Sequence, residues 1–240
     1  MHRFYIDPTR PDCLTPEDAH HACRVLRLRE GDNIEVVLNE KKYTASLTCV
    51  VPDHTTFSLL QECPSSEPAL KITLFQGLPK SDKMDWIIQK SVELGVHAVV
   101  PVIMQRSISR PDASDLAKKT DRWRRIAREA GKQSGRCCLP EISVPVSVSA
   151  LKPLLSAHEK VIIPWENCSH GGPGSIFRAF PDCKSMAVVI GPEGGITDEE
   201  ISVMTSWGCI PITLGRRILR TETAGLAAIS AFMALYGEME

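Results

Sequence analysis

The run Met186-Ala-Val-Val-Ile190 constrains this chain most. It is uninterruptedly apolar and empties at once into Gly191-Pro-Glu-Gly-Gly195-Ile196, after which Thr197 and Glu200 stand at capping-box spacing. The pattern is that of a strand buried on both faces that turns into a helix. Such strands belong to parallel sheets sandwiched between helices, and these sheets bind ligands beyond the carboxyl ends of their strands. The glycine loop is therefore a candidate cofactor loop; the alternative is a tight turn that needs glycine only for backbone freedom. It lacks the G-x-G-x-x-G pattern, so a nucleotide pyrophosphate is not its natural ligand.

Two other apolar runs end in the same way. Lys160 to Trp165 leads into the polar pair Glu166 and Asn167, and Pro211 to Leu214 leads into Gly215-Arg-Arg-Ile-Leu-Arg-Thr-Glu-Thr223. Arginines at 216, 217 and 220, next to Thr and Glu at a strand end, suit a polar site or a solvated turn better than a core. Lys71 to Gln76 and Ala98 to Ile103 supply further strands. Between them Met84, Ile87, Ile88, Ser91 and Leu94 recur at helical spacing, and Gly95 stands where a left-handed residue would end the helix. A second helix is expected from about Asp115 to Ser134, with Trp123, Ile126, Ala127 and Ala130 inside, and a last one from Glu222 to Tyr236.

The first 67 residues have a different rhythm. Short β-type runs at 3–6, 33–38, 43–51 and 55–60 are separated by turn signals, and Thr15-Pro16 is the cap and first residue of a short helix. The segment 63–68 has linker composition. We therefore expect domains at 1–67 and 68–240.

Charge narrows the function. With 28 Lys and Arg against 29 Asp and Glu the net charge is -1, so any affinity for nucleic acid must come from a local patch. From Arg106 to Arg136 there are ten Lys or Arg, Arg110 among them, against four acids; this is either a phosphate-facing surface or a solvated helix face. The nine cysteines form no C-x-x-C pair, and His20-His21-x-Cys23 lacks a second ligand pair, which predicts reduced cytoplasmic thiols and no metal. His20, His21, Cys137 and Cys138 read as cap or packing residues. No apolar run reaches the roughly 18 to 20 residues that cross a bilayer, and the N-terminus has no signal-peptide core, so neither a membrane protein nor an exported one is expected.

The blocks Leu214 to Ala224 and Ile190 to Gly195 together resemble the RsmE family of 16S ribosomal RNA uridine-N3 methyltransferases, of the SPOUT class. Gln76 to Trp86, Gln89 to Gly95, Arg122 to Ala130, Gln133 to Arg136 and His21 to Arg27 with Gly31-Asp32 agree in order and spacing. One departure is Arg216, where the pattern commonly has another residue such as proline.

The resemblance implies an α/β chain: a small N-terminal PUA-like β-barrel followed by a SPOUT-type α/β domain with a C-terminal trefoil knot. It implies S-adenosyl-L-methionine as cofactor, held by Ile163, Pro164, Trp165, Glu166, Gly191, Pro192, Glu193, Gly194, Gly195, Leu214, Gly215, Ile218, Leu219, Arg220 and Thr223. Its partners would be 16S rRNA or the small ribosomal subunit and a second copy of the chain. Arg220 would stabilise charge growing on the uracil oxygens, while Glu222 would either take the N3 proton or hold Arg220. Arg3, Arg24, Arg27, Lys80, Arg125, Arg128, Lys132, Gln133 and Arg136 would face the RNA. Two other classes stay open on residues alone: an RNA-binding protein without a cofactor, and a nucleotide-dependent α/β enzyme, which the absence of a P-loop or dinucleotide fingerprint disfavours.

Overall fold

The structure is a computed structural model that describes residues 1–108 and 112–239, so Arg110 lies outside the described residues. The chain forms two compact units, Met1–Glu67 with Gly135–Cys138, and Pro68–Ser134 with Leu139–Glu240.

The first unit contains β1 (Arg3–Tyr5), α1 (Pro16–His20), β2 (Asn33–Leu38), β3 (Lys41–Val51) and β4 (His54–Cys63), arranged as a four-stranded sheet in the order β1-β2-β3-β4. β1 runs parallel to β2 and the other pairs are antiparallel. Asn39 and Glu40 turn β2 into β3, both at positive φ, as a two-residue hairpin between right-twisted strands requires. The Thr15 hydroxyl accepts from the Asp18 N–H at 3.2 Å, and Pro16 costs α1 no hydrogen bond at its first position. A turn of π-helix, His21–Val25, continues α1 and leaves His20 and His21 exposed. The core of Phe4, Ile34, Val36, Ala45, Leu47 and Phe57 comes from alternate strand positions. Where the resemblance implied a barrel, the strands form an open path whose outer strand, β4, is covered at its start by Asp12 to Leu14.

Gly135–Cys138 was expected in the second domain and sits in the first unit. The carboxylate of Glu67 explains it, accepting from Arg136 Nε and Nη2 and from the N–H groups of Cys137 and Cys138 at 2.6 and 3.1 Å. The Tyr5 hydroxyl donates to the Arg136 carbonyl at 3.0 Å.

The second unit runs β5 (Lys71–Gly77), α2 (Lys83–Glu93), β6 (Ala98–Ile103), α3 (Ala113–Ser134), β7 (Glu141–Ile142), β8 (Val146–Ser147), α4 (Leu151–Leu155), β9 (Lys160–Pro164), α5 (Pro173–Ala179), β10 (Ser185–Ile190), α6 (Asp198–Ser206), β11 (Ile210–Ile212) and α7 (Thr221–Leu235). The strands form one sheet in the order β11-β9-β10-β5-β6-β7, with β8 also beside β6, and every pair is parallel. Strand alternation splits the core in two. Ile72, Leu74, Ile162, Met186, Val188 and Ile190 face a cluster with α2, α3 and α7, whereas Phe75, Ile163, Ala187 and Val189 face one with α4 and α6. Each such large side chain contributes roughly 1.5–3 kcal/mol by leaving water, which is why both helical layers are needed. α4 and α5 are too short to leave a periodic trace. No helix among the described residues is long and apolar enough to cross a membrane.

Candidate active site

Three strands end side by side: β9 at Pro164, β10 at Ile190 and β11 at Ile212. The loops that follow them enclose a cleft of about 490 Å³. Pro164, Trp165 and Glu166 line it from the first loop, Gly191 to Gly195 from the second, and Leu214, Gly215, Ile218, Leu219 and Arg220 from the third. Ile163 and Thr223, expected at the cofactor, are not in this lining. Ile163 points into the core on the α4 and α6 side, as alternation from Pro164 demands, and Thr223 is exposed. Lys83, Ile190, Ile196, Thr213, Thr221 and Ala224 also line the cleft, together with Arg216 and Arg217 of the arginine-rich strand end.

The glycine loop is shaped by close approach. Gly195 has φ +74°, and a Cβ there would stand 2.5 Å from Glu166 Oε1. The Gly195 N–H closes the turn on the Pro192 carbonyl at 2.9 Å, and Arg106 Nη1 donates to the Gly194 carbonyl at 2.9 Å. Helix α6 then starts with the expected capping box: the Thr197 hydroxyl accepts from the Glu200 N–H, and Glu200 Oε2 from the Thr197 N–H.

A neutral chain of hydrogen bonds anchors the start of α7. Gln76, fully buried at the end of β5, donates from Nε2 to Thr221 Oγ1 at 2.8 Å, and that hydroxyl donates to the Gly191 carbonyl at 2.6 Å. Beside it lies an ionic cluster in which Lys83 Nζ is 3.1 Å from both Glu193 Oε1 and Glu222 Oε2. Burial raises the pKa of Glu193, but its own backbone N–H, Lys83 and the Lys80 N–H outweigh this and keep it below the usual glutamate value. Glu222 behaves likewise, burial being overcome by its own N–H, by Lys83 and, more weakly, by Arg220. The pKa of the Lys83 ammonium is raised by its ion pairs with Glu193 and Glu222. Glu222 is thus an ionised partner of lysine. Arg220 is exposed, and its side chain makes no hydrogen bond or ion pair among the described residues.

The residues present fit a cofactor with a polar, partly apolar body. Trp165, in the lining, holds a buried indole N–H with no partner among the described residues, and Gly215 at φ +106° has no atom within 4 Å of where a Cβ would stand. No group of His, Cys, Asp and Glu among the described residues is arranged to hold a metal.

The residues expected at RNA divide. On α3, Arg125, Arg128 and Gln133 are exposed, whereas Lys132 is half-buried and 3.7 Å from Glu129. Arg122 pairs with Asp85, and Arg124 donates to the Ile142 carbonyl. Lys80, Arg24 and Arg27 are exposed; Arg3 pairs with Glu35. Arg136 is only 4% exposed, so the sequence expectation fails there: the guanidinium that was to face phosphate is taken up by Glu67.

Residues 66–233 match the family model described as an RNA methyltransferase domain, and residues 14–48 the model of an RNA methyltransferase PUA domain. The chain is 35% identical over 245 residues to the ribosomal RNA small subunit methyltransferase E of Bacillus subtilis, covering 96% of this chain and 95% of that one. The chain belongs to the RsmE family. A solved RsmE from Neisseria gonorrhoeae, bound to S-adenosyl methionine, is similar at a TM-score of 0.80 and 33% identity over 98% of both chains. A Legionella pneumophila methyltransferase in complex with the same cofactor aligns at 0.81 and 33% identity, over 97% of this chain and 96% of that one. The glycine loop and the arginine loop lie within the stretch matched to the methyltransferase model.

Proposed function

We propose that this chain is an S-adenosylmethionine-dependent methyltransferase that acts on N3 of a uridine in 16S rRNA of the small ribosomal subunit, in the cytoplasm. The observation that carries the reading is the convergence of three strand-end loops on one cleft in a chain of this family. When bound there, the cofactor supplies an electrophilic methyl group. Pro164, Trp165 and Glu166, the glycine loop, and Leu214 to Leu219 would hold it.

The chain's own residues have two tasks. N3 of uracil is a weakly acidic imide nitrogen, so its proton must leave and negative charge spreads to the flanking oxygens. Arg220, charged and uncommitted at the edge of the cleft, is suited to stabilise that charge. Glu222 is less suited to take the proton, because Lys83 holds its carboxylate ionised and weakly basic. The base has to be unpaired or splayed out to expose N3, and the exposed guanidinium groups of Arg125 and Arg128 are placed to grip backbone phosphate.

Two further features belong to the proposal. β11 lies at the sheet edge beyond β9, yet α7 returns to pack Gly225 against Leu74 of β5 and Ile190 of β10, which supports a knotted passage of the C-terminal segment. A homodimer is supported by Leu226, Ala227, Ala231 and Leu235 of α7, left half-buried while Ala228, Ile229 and Phe232 fill the core.

The test is transfer of a radiolabelled methyl group from S-adenosylmethionine to 16S rRNA, offered naked and in assembled subunits, with the product nucleoside identified by mass. We expect N3-methyluridine at one position. Absence of transfer to both substrates, or a methyl group on another atom, would overturn the reading.

A further inference from the structure

We propose that Lys83 is a positioning residue of this site, one that holds the Glu222 carboxylate so that the Arg220 guanidinium stays available to substrate. The inference rests on the methyltransferase reading of the cleft. Lys83 is the first residue of α2, where a cation faces the positive end of the helix dipole and is disfavoured unless acids compensate it. Two acids do so, and they come from different segments: Glu193 from the glycine loop after β10, Glu222 from the first turn of α7. One ammonium therefore joins three stretches of chain that border the cleft, and Lys83 itself lines it.

The two carboxylates depend on Lys83 unequally. Glu193 has a second anchor, since the Lys80 N–H donates to both its oxygens at 3.1 and 3.3 Å. Glu222 pairs with no other side chain among the described residues. Arg220 is two positions before it, at the N-cap of the same helix, and its charge already acts on that carboxylate. Without Lys83, Glu222 would lose its fixed partner next to an uncommitted arginine. A carboxylate and a guanidinium form strong paired hydrogen bonds, so Arg220 would be neutralised as an electrostatic catalyst. The lysine keeps the pair apart by engaging the acid first.

The test compares the parent chain with Lys83→Met, Lys83→Arg and the double variant Lys83→Met/Glu222→Gln. It uses single-turnover methyl transfer to 16S rRNA with RNA and S-adenosylmethionine saturating, and calorimetric titration of the cofactor. We expect Lys83→Met to slow the saturated rate by about 30-fold, the loss of roughly one charged interaction, with cofactor affinity changed less than about threefold. Arginine at 83 keeps the charge and should stay within about fivefold of the parent. Removing the competing carboxylate in the double variant should recover about tenfold relative to Lys83→Met. A role in packing alone predicts no such rescue. Should methionine at 83 lower the thermal midpoint, Lys83→Gln replaces it in both arms.

A double variant no faster than Lys83→Met, or Lys83→Met at the parental rate, overturns the inference. So does a loss confined to cofactor affinity with the saturated rate intact, which would make Lys83 a cofactor contact. A parent chain that neither binds S-adenosylmethionine nor transfers methyl groups overturns the functional reading itself, and is told apart because it precedes any effect of the variants.

Discussion

Gly77 and Pro192 touch so closely that a Cβ on Gly77 would stand 2.6 Å from both the ring Cδ and the backbone nitrogen of the proline. The end of β5 is thereby pressed against the glycine loop that follows β10. Neither partner has a flexible end to move, so we expect Gly77→Ala to force the loop away from the cleft and to destabilise the chain by about 1–3 kcal/mol. Thermal unfolding with and without S-adenosylmethionine checks this: a lowered midpoint and a reduced cofactor-induced rise are expected, and an unchanged pair would show that the contact gives way at no cost.

Gly194 and Gly195 should behave differently. Gly195 is in the left-handed region and a Cβ there would stand 2.5 Å from Glu166 Oε1, so Gly195→Ala combines a backbone penalty of roughly 1–2 kcal/mol with displacement of Glu166 from the cleft wall. Gly194 is outside the left-handed region, and a Cβ there would stand 3.0 Å from the Cβ of Arg106, a contact that a shift of a few tenths of an ångström in that stretch relieves. Calorimetry should find cofactor affinity reduced tenfold or more for Gly195→Ala and less than threefold for Gly194→Ala. Equal affinities would mean the loop conformation does not matter to the ligand.

The contrast shows what the sequence carried and what it did not. The parallel strands, the capping box at Thr197 and the end of α2 at Gly95 were legible because each rests on local chemistry: a run of apolar residues, a cap, a left-handed turn. The core-facing side of Ile163 was not legible because motif membership says nothing about which face of a strand a residue takes. The contacts of Lys83 and Thr221 were not legible because their partners, Glu193 and Gly191, are far along the chain. Arg136 looked like part of a basic surface, since charge counting cannot see Glu67 coming from 69 positions away.

The half-buried pair of Glu67 and Arg136 makes its own prediction. Burial pushes the Glu67 carboxyl up, but Arg136 and the N–H groups of Cys138 and Cys137 outweigh it, and the pKa lies below the ordinary value. A carboxyl depressed in the folded chain contributes stability that is present above its unfolded pKa and lost as pH falls through its folded one. Stability should therefore decline below about pH 4, the unfolded range for glutamate. Arg136→Ala removes the cation from the half-buried carboxylate and should cost about 1.5–3 kcal/mol, the worth of a charged hydrogen-bonded contact. Denaturant unfolding of the parent, Arg136→Ala and Glu67→Gln/Arg136→Met between pH 3 and 7 checks both. The double variant should be flatter with pH than the parent, and an equally steep decline would place the titration elsewhere.

On α3 the RNA grip should rest on Arg125 and Arg128, because Lys132 is half-buried next to Glu129 while the two arginines are exposed. Replacing both by alanine should weaken binding to 16S rRNA and lower the slope of log affinity against log salt by about one to two, with S-adenosylmethionine affinity unchanged. Lys132→Ala should move the slope by much less than one. A filter-binding series in salt measures each; a slope unaltered in the double variant would remove α3 from the RNA interface.

Arg220 should show the opposite behaviour. It is exposed at the N-cap of α7, borders the cleft and is committed to no partner among the described residues, so the fold does not depend on its side chain. Its value lies in charge that develops on the base only as N3 loses its proton, and an interaction made in the transition state lowers the saturated rate when removed without altering ground-state binding. A preorganised charge of this kind is worth about 10²–10³ in rate. Arg220→Ala should thus retain the parental thermal midpoint, RNA affinity and cofactor affinity within about threefold, and lose about 100-fold or more in single-turnover methyl transfer. Arg220→Lys, which keeps a point charge but not the planar fork that could meet a base oxygen with two donors, should fall between them. If Arg220→Ala transfers methyl groups at the parental rate with both substrates saturating, charge stabilisation must come from another group lining the cleft, and Arg216 and Arg217 are the next to test.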